Sequence, residues 1–293
     1  MHIHIISPSG AIDNALIDNV VTRLQQWGYE TSVAPHARGR YGRFAGTPAQ
    51  RADDINAALC NPDIDIVLCS RGGYGLQQIA DRIVVPTSHT PLLVGFSDIT
   101  LLHNLLGLHH IPTLHASMCK YIATLDADNH ALQLLQQALH GEPLRYMMSP
   151  HPLQRTGQCQ GMLIGGNLSV LYGLQDTPYS LNRLIDTCSQ PPILFLEDIG
   201  ERHYHLDRMM NNLRMSGVLS RIGGLVLGQF TDCEDDPLMG CTVLETLVRA
   251  AEQYDYPILV NFPAGHVPNN VPLRLNSMWR MTVTSTTAVL TQE

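Results

Sequence analysis

Ile64-Asp65-Ile66-Val67-Leu68-Cys69-Ser70-Arg71-Gly72-Gly73-Tyr74-Gly75 is the stretch on which the fold turns. The aliphatic run from Ile64 to Cys69 reads as a strand buried on both faces, and the three glycines after it read as a tight turn leading into a helix. The same pattern recurs on either side. Upstream, Ile3 to Ile6 reads as a strand that ends in the turn Ser7-Pro8-Ser9-Gly10. Leu16, Val20, Leu24 and Trp27 follow at helical spacing behind an Asp13 cap, Gly28 stops that helix, and Tyr29 to Val33 reads as the next strand. Thr47-Pro48 makes an N-cap and first-turn pair for a helix through Cys60, and downstream Leu92 to Val94 is a further strand. Strands separated by helices require a parallel, doubly wound sheet, whose ligands bind beyond the carboxyl ends of the strands.

The helical stretch 128–140 closes this half. The segment 141–157, with Pro143, Pro150 and Pro152, reads as a linker. Beyond it lies a mixed pattern: strands at 162–164, 193–196, 225–230 and 258–260, helices at 202–215 and 243–254, and strand character from Val271 onward. The expected architecture is α/β, with an N-terminal doubly wound domain over residues 1–145 and a C-terminal mixed α/β domain over 158–293.

Composition narrows the function classes. Apolar residues make up 44% of the 293 and charged residues 15%, with no run of ~18 apolar residues, which describes a globular rather than a membrane-spanning or disordered chain. The formal charge of −8, with no basic block, argues against nucleic acid or an anionic membrane as partner. Met1-His2-Ile3-His4-Ile5-Ile6 lacks the basic start and long apolar stretch of a signal peptide, so a cytoplasmic location is expected. Seven scattered cysteines without a C-x-x-C pair point to reduced thiols, and no H-E-x-x-H pattern accompanies the histidines. Neither a metal nor a cofactor is expected.

Three distant segments carry residues that acyl-transfer chemistry needs: Ser97 in Gly95-Phe96-Ser97-Asp98, Glu197 after Leu194-Phe195-Leu196, and His266 in Pro263-Ala264-Gly265-His266. A serine nucleophile requires a base, and the base requires a carboxylate to fix its tautomer. Ser97 stands between a strand and a helix, where the amide of Asp98 can face an oxyanion. Ile99 two residues on departs from the G-x-S-x-G elbow, and a plain helix-capping role for Ser97 is the competing reading. Gly72, Gly73 and Tyr74 are candidate oxyanion or substrate contacts, because a glycine turn lets backbone amides approach a ligand closely. Glu197, with Asp198 and Glu201 after it, reads as a site carboxylate or as a solvated loop start.

Ser70-Arg71-Gly72-Gly73-Tyr74-Gly75, Gly95-Phe96-Ser97-Asp98-Ile99-Thr100, Gly165-Gly166-Asn167-Leu168-Ser169, Leu196-Glu197-Asp198-Ile199-Gly200-Glu201, Gly228-Gln229-Phe230-Thr231-Asp232 and Pro263-Ala264-Gly265-His266 together resemble the LD-carboxypeptidase (muramoyltetrapeptide carboxypeptidase) family in order and spacing. The resemblance implies Ser97 as nucleophile, His266 as general base and Glu197 as its orienting acid. It also implies a cytoplasmic serine peptidase, often a homodimer, that removes the terminal D-alanine from murein tetrapeptides during cell-wall recycling. Self-immunity peptidases acting on peptidyl or aminoacyl adenylates share the pattern, and a non-catalytic anion-binding module is the rival from another class. Two departures, His115-Ala116-Ser117 and Pro272-Leu273-Arg274, are expected to bear on the substrate pocket.

Overall fold

Parallel pairing organises the first sheet of the computed structural model, which describes all 293 residues. Strands β1 (His2–Ile6), β2 (Glu30–Val33), β3 (Ile66–Cys69), β4 (Leu92–Gly95) and β5 (Thr113–His115) stand in the order β5-β4-β3-β1-β2, every neighbouring pair parallel. All four residues of β3 are buried because helices cover both faces. Ile66 and Leu68 join one core with α1 (Asn14–Gln26), while Val67 and Cys69 join another with α2 (Pro48–Leu59) and α3 (Thr100–Gly107). The two-residue alternation of a strand thus feeds two helical layers at once. The caps form as their sequences require: Asp13 accepts from the Ala15 amide, and Thr47 and Gln50 make a reciprocal capping box with Pro48 in the first turn. In α1 the core-facing set is Ile17, Val20 and Leu24, with Leu16 and Trp27 half-buried at its margin. Beyond β5 come the short α4 (Cys119–Thr124) and α5 (His130–Leu139), the helix expected over 128–140, both on the α1 side.

The second sheet comprises β6 (Arg145–Met148), β7 (Gly157–Asn167), β8 (Ile193–Ile199), β9 (Gly224–Thr231) and β10 (Ile258–Leu259), with two later strands. After β11 (Leu273–Leu275), strands β12 (Ser277–Val283) and β13 (Ala288–Gln292) complete the order β10-β9-β8-β7-β12-β13-β6, in which β7 to β10 run parallel and the rest antiparallel. Two features correct the sequence reading. Arg145–Met148, within the stretch read as a linker, is a strand whose Tyr146 is buried against Phe262 and Trp279 and donates its hydroxyl to the Pro272 carbonyl. β11 leaves the second half and pairs antiparallel with β5 at the edge of the first sheet. No helix is long and apolar enough to cross a membrane.

Sheet register also aims one carboxylate. Ile193, Phe195 and Glu197 share a face of β8, and the pairing with β9 shifts register between Leu196 and Asp198. Such a bulge re-aims the side chain it carries.

Candidate active site

Chain geometry at the end of β4 turns Ser97 outward. Phe96 is fully extended, and Ser97 itself has φ of 68°, a left-handed backbone that costs a non-glycine residue about 1–3 kcal/mol and persists only where its surroundings enforce it. Two of those surroundings are visible. Gly72 packs so closely that a methyl group on it would stand 2.8 Å from Ser97 Cβ. Buried Asp98 accepts from Ser9 Oγ at 2.6 Å and from the Leu76 amide at 3.1 Å, which ties together the loops after β1, β3 and β4. Burial raises the Asp98 pKa, opposed by these donors and by the nearby Arg51 guanidinium. Arg51, itself buried, donates to the Pro8 and Gly75 carbonyls at 2.9 Å each.

His266 arrives on the loop after β10. Gly265 precedes it with φ of 136°, and a Cβ there would lie 3.0 Å from Glu197 Oε2, so only glycine lets this loop settle against the carboxylate. The Gly265 amide is held by Asn270 Oδ1 at 2.9 Å. His266 Nδ1 lies 2.7 Å from Glu197 Oε2, and Nε2 lies 3.0 Å from Ser97 Oγ. With a carboxylate at Oε2, the ring proton belongs on Nδ1, and Nε2 accepts from the Ser97 hydroxyl. Glu197 is fully buried and His266 is 15% exposed, so the carboxylate is sealed beneath the ring while the ring reaches the cleft. The adjacent Asp198 points the other way, accepting from Asn167 Nδ2 and from the Ser169 and Ile199 amides. Burial, then the charge of Glu197, pushes Asp198 up to about 7 against those donors.

The cleft beside this trio has a volume of about 590 Å³, lined in part by Ser97, His266, Gly72, Gly73, Lys120 and Tyr121. Gly72 and Gly73 donate their amides to no acceptor within the protein. Tyr74 stands apart from its expected place: half-exposed, it packs near Phe44 and lines an adjoining cavity instead. Neither departure segment lines the cleft. His115 is buried between Phe96 and Phe195, its pKa pushed well down by burial, and Arg274 spends its guanidinium on the Ala138 carbonyl at 2.7 Å. No cluster of three or more His, Cys, Asp or Glu side chains is arranged to hold a metal ion. Lys120 and Tyr121 escaped the sequence reading because the short α4 that carries them has no distinctive periodicity.

Comparison with known proteins bears directly on this arrangement. Residues 3–116 match the family model of the LD-carboxypeptidase N-terminal domain, and residues 160–281 match that of the LD-carboxypeptidase C-terminal domain. The chain belongs to the LD-carboxypeptidase family. It is therefore a serine carboxypeptidase by family, on an α/β fold of two sheets. The murein tetrapeptide carboxypeptidase of Pseudomonas aeruginosa is 30% identical over 281 residues, covering 91% of this chain and 88% of that protein. The solved muramoyltetrapeptide carboxypeptidase of Oxalobacter formigenes superposes with a TM-score of 0.85 at 25% identity, covering 100% of this chain and 98% of that one. The microcin C7 self immunity protein, at a TM-score of 0.82 and 17% identity, covering 100% of this chain and 96% of its own, shares the fold alone.

Proposed function

We propose that this LD-carboxypeptidase releases the terminal D-alanine from murein tetrapeptides in the cytoplasm, as part of cell-wall recycling, and that it works as a homodimer. The observation that carries the reading is the continuous relay from Glu197 Oε2 through His266 to Ser97 Oγ, with links of 2.7 and 3.0 Å. Such spacing suits a base already in contact with the proton it must take. In the proposed sequence Ser97 Oγ attacks the scissile carbonyl as its proton passes to His266 Nε2, and Glu197 stabilises the imidazolium. The amide of Asp98, with Gly72 or Gly73, receives the developing oxyanion; these glycine amides are unengaged and line the cleft. His266 then protonates the leaving amine, D-alanine departs, and water attacking through the same base frees the shortened peptide. These steps call on no metal and no cofactor.

Two measurements test the reading together. Ser97→Ala and His266→Ala should lower turnover on the order of 10⁴–10⁶-fold, and Glu197→Ala somewhat less, each with an unchanged circular dichroism spectrum. Mass spectrometry should show L-Ala-γ-D-Glu-meso-diaminopimelyl-D-Ala cut only at its last bond. The all-L tetrapeptide and the D,D bond of the pentapeptide should survive, because a mismatched stereocentre displaces the carbonyl and about 1 Å of displacement costs ~10²-fold. Comparable cleavage of either control, or faster hydrolysis of an aminoacyl adenylate than of the tetrapeptide, overturns the assignment.

A further inference from the structure

Beside the cleft at Ser97 lies a second cavity of about 650 Å³, and four arginines, Arg38, Arg40, Arg43 and Arg71, stand on its wall. Arg71 and Gly73 line both spaces. In a chain of formal charge −8, this concentration of cations is a local inversion. Its place in the fold is equally specific. The cavity lies among the loops that follow β1, β2 and β3, beside the β1/β3 switch point where the strand order reverses, which is where open parallel sheets bind ligands. Arg38 is engaged with Asp18 at 2.7 Å, and Arg71 donates to the Ala11 carbonyl at 2.9 Å. Arg40 and Arg43 are exposed, and their guanidinium groups make no hydrogen bond or ion pair within the protein, while the Arg43 carbonyl accepts from the Ala11 amide. One carboxylate, Asp13, shares the wall and is occupied in capping α1.

We infer that this arginine-lined cavity is the subsite for the free carboxylates that lie upstream of the scissile bond. The inference rests on the carboxypeptidase reading, and one consequence of exopeptidase chemistry directs it. Nothing extends beyond the leaving D-amino acid, so the carboxylate of that residue falls within the Ser97 cleft, where Lys120 stands. A second space that shares the Ile12, Asp13, Arg71 and Gly73 wall with the cleft therefore serves the acyl side. There, the α-carboxylate of D-glutamate and the side-chain carboxylate of diaminopimelate lie about 7–9 Å from the scissile carbonyl when extended, a reach that leaves the cleft for its neighbour. Guanidinium groups match carboxylates in planar, two-point hydrogen bonds, and unengaged ones lose no partner on binding.

The test uses binding and turnover side by side. In the Ser97→Ala protein, calorimetry measures affinity for the product L-Ala-γ-D-Glu-meso-diaminopimelate, for its analogue with both upstream carboxylates as carboxamides, and for uridine diphosphate. Adding Arg40→Gln and Arg43→Gln, which remove no hydrogen bond or ion pair within the fold, should weaken the acid peptide about tenfold or more and leave the carboxamide unchanged. In the active protein the same pair should raise KM by a similar factor with kcat within about twofold, and the effect should shrink in high salt. Equal affinity of parent and double variant for the acid peptide overturns the inference, even if the wild type cleaves the tetrapeptide well. Arginine-dependent binding of uridine diphosphate without that of the peptide overturns it too, since the site would then read phosphate. Arginine-dependent peptide binding by a protein that cleaves no tetrapeptide would keep the subsite and discard the carboxypeptidase assignment.

Discussion

Gly72→Ala probes the geometric basis of the proposed chemistry while leaving the three side chains of the relay unchanged. The added methyl would lie 2.8 Å from Ser97 Cβ and 3.1 Å from both Ser97 Oγ and the Phe96 carbonyl. Carbon atoms in contact prefer 3.5–4.0 Å, so about 0.7–1.2 Å must be absorbed between two backbone segments. Neither segment yields easily. Gly72 is pinned by the Gly10 amide on its carbonyl, and Ser97 is held at φ of 68° with Asp98 anchored beneath it. Relaxation therefore draws Ser97 Oγ away from His266 Nε2, now 3.0 Å distant, and a misplacement of about 1 Å costs ~10²-fold in rate. Overpacking adds a stability loss of about 1–3 kcal/mol, partly offset by the smaller entropy of the unfolded alanine chain. The assay is kcat/KM for D-alanine release alongside a denaturant titration. Gly141→Ala is the control, because Gly141 has φ of 80° but nothing within 4 Å of a Cβ, so strain costs stability there while turnover stays at the wild-type value. Gly72→Ala with kcat/KM within about threefold of wild type would refute the view that Ser97 depends on this contact for its position.

Asp198 should make stability depend on pH. Its folded pKa of about 7 exceeds the unfolded value near 4, so its contribution is complete below about pH 4 and is lost as pH rises through about 7. The stability difference between Asp198→Asn and wild type should therefore climb between pH 4 and 7, by at most about 4 kcal/mol, then level off; a difference constant across that window contradicts the raised pKa. Arg51→Met removes the donor to the buried Pro8 carbonyl, which has no other partner and is left unpaired at about 1–3 kcal/mol, and loosens the Gly75 carbonyl, which keeps the Gln78 amide. Denaturant midpoint and D-alanine release should fall together, since these contacts hold the turn against which Ser97 packs, and full activity in a destabilised Arg51→Met protein would separate the two.

Local sequence was legible wherever one segment carried its own instructions. The Thr47-Pro48 cap forms as read, and the aliphatic run forms β3 from Ile66 rather than Ile64, since burial on both faces and a reciprocal cap depend on residues close in the chain. Strand β6 was hidden because its reason for existing, the packing of Tyr146 on Phe262 and Trp279, comes from residues more than a hundred positions later, while Pro143 and Pro150 frame it like a linker. The arginine cavity was hidden for a related reason: Arg38, Arg40 and Arg43 meet Arg71 only because β2 and β3 flank the same central strand, β1. Glu197 and Asp198 show where such reading reaches its physical limit. Both are carboxylates at a strand end, and composition treats them alike. Strand alternation sends Glu197 toward the face of Ile193 and Phe195, the β8/β9 register shift fixes its aim, and His266 meets it there. Asp198, one residue on, meets two amides and the Asn167 side chain instead. A slip of one residue in β8 would exchange those environments, giving His266 the shorter carboxylate and the amides the longer one. The chemical role of each acid is thus a property of the register between β7, β8 and β9, which no single segment contains.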